Sequence, residues 1–196
     1  MIEDIIKYIN TKIQNLKIVS KTFGLCELIG DENKSPAEYC KGEFRSVADF
    51  DFFKGLVYHR IIGDVNVVDV EENEWTGCFA MKEMRIPMRT CVILKRVDNY
   101  TDLLVGQTVL NAISFTNSKE LRLLLGADTV AVESRSIILN KDRLINEEFD
   151  GFDIKIDYED IFVGVEYDII ITGAATCLEA HGCKRDYSDD YSNDYS

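Results

Sequence analysis

The chain has few of the residues that usually mark an active site. Its 196 residues include only two histidines, His59 and His181, which stand far apart in the sequence. It also lacks a glycine-rich phosphate loop, a nucleophile elbow and a helical pair of metal-binding histidines. These absences exclude the enzyme classes that such motifs mark. No motif predicts a cofactor, and composition and periodicity alone do not name a function.

Basic residues are also in short supply. Lys and Arg number 22 against 35 Asp and Glu, which gives a formal net charge of −13. A protein that grips nucleic acid needs clustered Lys and Arg to neutralise phosphates. The densest basic group consists of Lys82, Arg85, Arg89, Lys95 and Arg96. This group is spread along predicted strands and interrupted by Glu83, so solvated strand faces are a better interpretation than a phosphate-binding stripe.

Long hydrophobic runs are missing as well. No apolar run approaches the roughly 18 residues that a membrane span requires, and the chain starts Met1-Ile2-Glu3-Asp4. We expect neither a signal peptide nor a membrane contact, and synthesis and folding in the cytoplasm. The six cysteines lack the close, regular spacing of a secreted disulfide framework, which predicts free thiols.

The patterns that are present predict one α+β domain over residues 1–183. Hydrophobic residues make up 46% of the chain and only two residues are proline, which argues against disorder over most of its length. An N-terminal amphipathic helix is indicated by apolar residues at steps of three and four, namely Ile2, Ile5, Ile6, Ile9, Ile13 and Leu16. We expect this helix and a central helix to pack on a mostly antiparallel sheet.

Two segments carry the clearest strand signals. Residues 56–62 and 65–70 are rich in β-branched side chains and flank Gly63-Asp64, which predicts a β-hairpin. Residues 86–97 alternate and run into the central helix over residues 101–114, with Thr101 or Asn99 as its candidate cap and Gly106 as a point of close packing. Because Pro87 cannot donate to a ladder, it favours an edge or the start of a strand, where a partner subunit can add on.

Candidate chemistry in the sequence is sparse. Cys177, His181 and Cys183 are soft ligands that zinc accepts, but they lack a nearby fourth ligand, so ordinary terminal residues are the better interpretation. Nothing marks any thiol as activated by a histidine. Three acidic pairs could hold magnesium, and solvated loops explain them better in so acidic a chain: Asp49 with Asp51, Glu71 with Glu72, and Glu147 with Glu148.

The C-terminal residues 184–196 form an acidic tail with a repeated Asp-Tyr-Ser pattern. Its tyrosines Tyr187, Tyr191 and Tyr195 recur at four-residue spacing. Such a segment cannot bury a core of its own. Two interpretations stay open: a tail that aids solubility, or a strap whose tyrosines dock on a neighbouring subunit while its acids stay in water.

The order of elements resembles the tail-completion, or tail-terminator, family of tailed bacteriophages. The similarity rests on the N-terminal helix, paired strands with a connection around Trp75, and a strand that leads into a central helix before the closing strands. The strongest local similarity is residues 86–94 (IPMRTCVIL) followed by 102–113 (DLLVGQTVLNAI). The chain is also similar in general character to neck and tail ring proteins of crAss-like phages.

The resemblance implies a structural virion protein that is not an enzyme, holds no cofactor and forms a cyclic homo-oligomer at the neck, between portal and tail. It implies assembly in the bacterial host cytoplasm, contacts with other neck, portal or tail proteins, and DNA only as passing cargo. A negative subunit would let DNA slide through the ring. Edge strands with Pro87, the connection with Trp75, and the tail tyrosines 187, 191 and 195 would carry the subunit contacts.

Two other classes stay open. In the first, the carboxylates imitate phosphate spacing and sequester a host DNA-binding protein. This acidic DNA mimic would be monomeric or dimeric and would bind a basic partner. In the second, the chain is an enzyme that uses a carboxylate-bound metal.

Overall fold

The computed structural model describes residues 1–31, 33–40, 42–49, 55–70, 81–96, 99–152, 154, 156–157 and 159–174. The helices are α1 (Ile2–Gln14), α2 (Asp102–Ile113), α3 (Lys119–Leu125) and α4 (Lys141–Glu148). The strands are β1 (Lys21–Ile29), β2 (Ser35–Cys40), β3 (Glu43–Ser46), β4 (Leu56–Ile61), β5 (Asn66–Val70), β6 (Met81–Leu94), β7 (Thr129–Ile138) and β8 (Ile161–Ala174).

The strands form one mixed sheet in the order β3-β2-β1-β4-β6-β8-β7, and β5 also pairs with β6. All pairs are antiparallel except β1 with β4. The predicted fold class, a mostly antiparallel α+β sheet with an N-terminal helix and a central helix, is confirmed. The longest pairing joins β6 to β8 over the whole of both strands, so these two strands are the centre of the fold.

Alternation along the central strands produces two cores. In β6, Met84, Ile86, Met88 and Val92 point to the side that we call the front face, where they pack with α1, α2 and α3. The intervening residues point to the back face. There Cys91 and neighbouring residues form the second core, together with α4 and several aromatic side chains. Each face of the sheet thus has its own helical cover.

Local capping explains where the later helices begin and end. The Thr101 side chain accepts a hydrogen bond from the Leu104 N–H at the start of α2, as the sequence predicts. Ser118 caps α3 in the same way, and Gly126 ends α3 in the left-handed conformation with φ of 64°. These signals are local, so the sequence alone is enough to place both helices.

The edge position predicted for Pro87 is wrong. Pro87 is buried within β6, a central strand, and lies opposite Asp168 of β8. Its carbonyl accepts a hydrogen bond from the Ile62 N–H, so the nitrogen without a proton also faces the connection between β4 and β5. The missing N–H therefore removes no hydrogen bond between strands. Pro87 gives no reason to expect a subunit contact.

The hairpin predicted around Gly63-Asp64 is also wrong. Both β4 and β5 pair antiparallel with β6, at successive positions: Ile61 lies opposite Met88 and Asn66 opposite Arg85. The chain therefore continues in one direction along a single side of β6 and is only interrupted at residues 62–65. The turn residues break the strand, and β6 supplies the pairing partner for both halves.

Replacing Gly106 with alanine is expected to destabilise the protein by about 1–2 kcal/mol, although alanine is the better helix former. A Cβ at Gly106 would lie 2.6 Å from Cγ2 of Ile137 on β7. Denaturant unfolding of G106A measures the effect, with Gln107→Ala on the exposed side of α2 as the control. The double variant G106A/I137A should show favourable coupling, and strictly additive losses would contradict the clash.

Candidate assembly surfaces

The first candidate surface is the edge strand β5. All five of its residues are exposed, and with Val65 it presents four valines to solvent: Val65, Val67, Val68 and Val70. Val68 is the most exposed of these, at 52%. Among the residues that the structure describes, only β6 pairs with β5, which leaves the other edge of β5 open. An exposed apolar edge strand is a template for pairing with another chain.

The surroundings of β5 explain why Val68 stays uncovered. Val68 lies opposite Glu83 of β6 on the back face. Beside it, Arg85 bonds Glu83 at 2.7 Å and Glu133 at 3.2 Å. Ion pairs thus replace the apolar core at this end of the back face. Val68 therefore has charged groups for neighbours on this face, whereas Val67 lies opposite Met84 of the front core and is still 46% exposed.

The second candidate surface, which we call the aromatic groove, lies between the first half of α1 and strands β1 to β3. The rings of Tyr39 and Phe44 contact one another in a tilted arrangement, with centroids 5.1 Å apart, and are 64% and 51% exposed. Two adjoining cavities of about 260 Å³ and about 410 Å³ lie along them. The groove is lined mainly by Glu3, Ile6, Lys7, Leu25, Glu27 and Glu38.

The third candidate surface is the outer side of α3. Leu121 and Leu125 are buried in the front core, as a helix on a sheet requires. Leu123 and Leu124 point away from that core and are 75% and 52% exposed. A seven-residue helix with four leucines has more apolar surface than its own subunit covers, so two of the four are available to a partner.

The largest buried polar cluster lies on the back face and centres on Arg89. This guanidinium bonds Glu148 at 2.7 Å, Glu166 at 2.6 Å and Glu147 at 2.7 Å. Glu148 is completely buried and also receives a bond from Arg60 at 2.8 Å. The cluster ties α4 to β4, β6 and β8. The cluster therefore has a structural role.

The charges of the cluster reinforce one another. Burial lowers the pKa of Arg89, but the hydrogen bonds to Glu166 and Glu148 outweigh it, and the pKa is raised above the ordinary value. Burial likewise raises the pKa of Glu166, and the bonds from Arg89 and Ser136 outweigh it and hold the pKa below its ordinary value. The interpretation of Glu147 and Glu148 as a solvated loop is wrong: both lie in α4 and are bonded to arginines, and Glu148 is completely buried.

The basic residues singled out in the sequence have carboxylate partners. Arg85, Arg89, Lys95 and Arg96 each bond a carboxylate at 3.1 Å or less. A phosphate would have to displace these acids before it could bind. The charge of the four side chains is already neutralised within the subunit, which fits solvated or internal pairs better than a nucleic-acid interface.

His59 belongs to a buried hydrogen-bonded chain beneath α1. Its Nε2 lies 2.9 Å from Asn10 Oδ1, and its Nδ1 lies 2.8 Å from the Thr90 hydroxyl, which in turn meets the Tyr167 hydroxyl at 2.9 Å. Asn10 donates to the Phe23 carbonyl at 2.8 Å, so its Oδ1 accepts from His59. This arrangement makes Nε2 a protonated nitrogen, and burial, which lowers the pKa of His59 to about 3, keeps the ring neutral at pH 7.

The described cysteines are not activated nucleophiles. Cys26, Cys40 and Cys91 are free thiols, which confirms the prediction for these three. Burial raises the pKa of the Cys26 and Cys91 thiols, so both remain protonated at neutral pH. His59 is bonded on both ring nitrogens by oxygen groups and has no thiol partner there.

Several predicted site residues lie outside the described part of the chain. These are Trp75, Asp51, Glu71, Glu72, Cys177, His181, Cys183, Tyr187, Tyr191 and Tyr195. Within the part that the structure describes, no group of three or more His, Cys, Asp or Glu side chains could hold a metal ion. No helix in that part has the length and apolarity needed to cross a bilayer.

Sequence reasoning missed all three surfaces. A signal for α3 was present, because Leu123, Leu124 and Leu125 are consecutive and a helix can bury only one side. The exposure of β5 depends on its pairing partner, and the aromatic pair depends on the register that places Tyr39 opposite Phe44. Neither of these can be read from one segment alone.

No family model matches the chain, and no curated protein and no solved structure is similar enough to count as a match.

Proposed function

We propose that this protein is a structural subunit of a tailed-bacteriophage virion that assembles into a ring at the neck, as part of the DNA conduit and of the head-to-tail attachment. The proposal is supported by the resemblance in element order. The order α1, paired strands, β6 leading into α2, and β8 as a closing strand agrees with that resemblance. Self-assembly is the physical core of the proposal.

The observation that carries the proposal is the open apolar edge of β5. A monomer that keeps four valines and a free strand edge in water is exposed to aggregation unless a specific partner covers them. Natural edge strands are usually protected by lysine, proline or a bulge. β5 has none of these and carries only Asp69 as a charge. A closed oligomer protects such an edge by pairing it.

Charge supports the same function. With a net charge of −13, a ring of these subunits repels phosphates and lets duplex DNA pass without sticking. The DNA-mimic alternative requires unpaired carboxylates on the surface. Many acids of the described back face are instead bonded to arginine or lysine, including Glu148, Glu166, Asp160 and Asp168. This pairing favours assembly over mimicry.

The variant Val68→Lys is expected to weaken self-association at least tenfold and to leave the fold intact. The new ammonium lies on an already exposed side chain next to Glu83, so folding does not suffer, whereas an incoming strand meets a charge. Sedimentation velocity over a range of concentrations, together with negative-stain imaging of the particles, measures the effect.

Val68→Thr is the matched control, because threonine keeps the β-branched shape and adds no charge; it should assemble like the wild type. Assembly of V68K equal to that of V68T would contradict the role of β5. A wild-type protein that stays monomeric at all concentrations, and instead captures a basic DNA-binding protein, would favour the acidic mimic over the ring.

A further inference from the structure

The geometry points to one specific contact between copies of this chain: the exposed leucines of α3 in one copy dock in the aromatic groove of the next. This inference rests on the proposed function, since it describes how the subunits of an oligomer meet. It goes further by naming the two surfaces and the direction of assembly.

The groove has the features of a receptor for an apolar side chain. It is concave, its floor includes Leu25 and Ile6, and one wall is the tilted aromatic pair Tyr39 and Phe44. Both rings are more than half exposed although they are large and apolar. Aromatic residues in a partly buried pocket are typical anchors of protein interfaces.

The rim of the groove is negative. Glu3 and Glu27 are exposed. One carboxylate oxygen of Glu38 accepts a hydrogen bond from the Gly24 N–H at 2.8 Å. Lys7 is the only base among the residues that line the two cavities. Its ammonium lies 3.7 Å from Asp4, which offsets its charge. The groove therefore favours an occupant that is apolar at its centre and positive at its margin.

Helix α3 has the matching properties. It is convex, and Leu123 is 75% exposed at its centre, with Leu124 beside it. Lys119 is exposed at its first turn, and the half-buried Arg122 adds a second positive charge against the single acid Glu120. Shape, polarity and sign of charge are thus complementary between two surfaces of the same chain.

The two surfaces lie on either side of α1. Lys7 of α1 borders the groove, and it also borders a cavity of about 300 Å³ between α1 and α3 that Leu124 lines. The α3 helix packs on β7: its buried leucines join the core with Val130, and the Ser118 N–H bonds the Val130 carbonyl at 3.1 Å. The groove and the outer side of α3 are different surfaces, so a contact between them is heterologous; it repeats head to tail and closes into a ring when the rotation permits.

A charge-exchange experiment tests this contact. The groove variant E3K/E27K places positive charge where α3 is positive, and the helix variant K119E places negative charge where the groove is negative while keeping Leu123 as the apolar anchor. Each variant alone should associate roughly tenfold or more weakly than the wild type. An equimolar mixture should recover association, because each unlike pair of surfaces is attractive again. Sedimentation velocity and native mass spectrometry measure the affinity and the composition of the particles.

The control K17E makes the same charge reversal on an exposed side chain away from both surfaces and should associate like the wild type. Association of both variants at wild-type strength, or a mixture that recovers nothing, would overturn the contact. The same series includes V68K: if V68K is defective while the charge exchange has no effect, the ring survives and this contact fails. If the wild type is monomeric throughout, both proposals fail. Far-ultraviolet circular dichroism verifies that each variant is folded.

Discussion

Replacing Arg89 with methionine is expected to lower the free energy of unfolding by about 3–5 kcal/mol. Methionine fills most of the space but removes the only cation shared by three carboxylates. Glu148, completely buried, then keeps Arg60 as a partner but loses its bond to Arg89, and Glu147 and Glu166 lie close to it without the charge that separates them. Urea unfolding at pH 7 gives the value directly.

The exposed ion pair of the same helix supplies the control. Arg143 bonds Glu147 at 2.6 Å with both side chains partly exposed, and Arg143→Met should cost about 0.5 kcal/mol or less. The deficit of R89M should also shrink as the pH is lowered from 7 toward 5, because crowded carboxylates without their cation take up protons more readily. Equal losses for R89M and R143M would show that the cluster contributes no more than a surface pair.

The second large effect is a loss of stability on mild acidification that depends on His59. Burial lowers the pKa of His59 to about 3, whereas an unfolded chain has a histidine pKa near 6.5. The unfolded state therefore binds the proton first. The stability that the neutral ring provides is complete above pH 6.5 and is lost as the pH falls, by about 1.4 kcal/mol per pH unit, until the native pKa is reached.

Comparing the wild type with His59→Gln isolates the contribution of His59 to the pH dependence of stability. Between pH 6.5 and 5, where most carboxylates keep their charge, the wild type should lose about 2 kcal/mol more than H59Q. Glutamine retains a donor and an acceptor for Asn10 and Thr90, so the variant should fold at pH 7. The ring resonances of His59 in the wild type should also keep their neutral positions down to pH 5. Equal pH profiles, or a midpoint near 6.5, would contradict the assignment.

The local parts of this fold could be predicted and the tertiary parts could not. Helix α1 follows from its apolar spacing, and α2 and α3 follow from Thr101, Ser118 and Gly126, since each signal acts within one turn of helix. Gly63-Asp64 has good turn chemistry, but the choice of β6 as the common partner of β4 and β5 depends on residues far away in the chain. The position of Pro87 could not be predicted for the same reason. The interruption between β4 and β5, which leaves its nitrogen without a strand partner, lies in another segment of the chain.

The candidate surfaces depended even more on context. The sequence shows an aromatic residue at each of the positions 39 and 44, but only the pairing of β2 with β3 brings the two rings together and leaves them exposed. The buried charges depend on the fold in the same way. Glu147 and Glu148 are adjacent acids that look like any solvated pair, and only the fold places Arg89 and Arg60 against them.

The pairing of β6 with β8 has a consequence for biogenesis. These strands are matched residue for residue from Met81 with Ala174 to Leu94 with Ile161, across a long stretch of intervening chain. Contacts between residues so distant in sequence form late and slowly. β5 pairs with β6, and β6 has all its neighbours only once β8 is in place. If subunits assemble through β5 as proposed, β6 must first pair with β8 before an ordered edge is available for assembly.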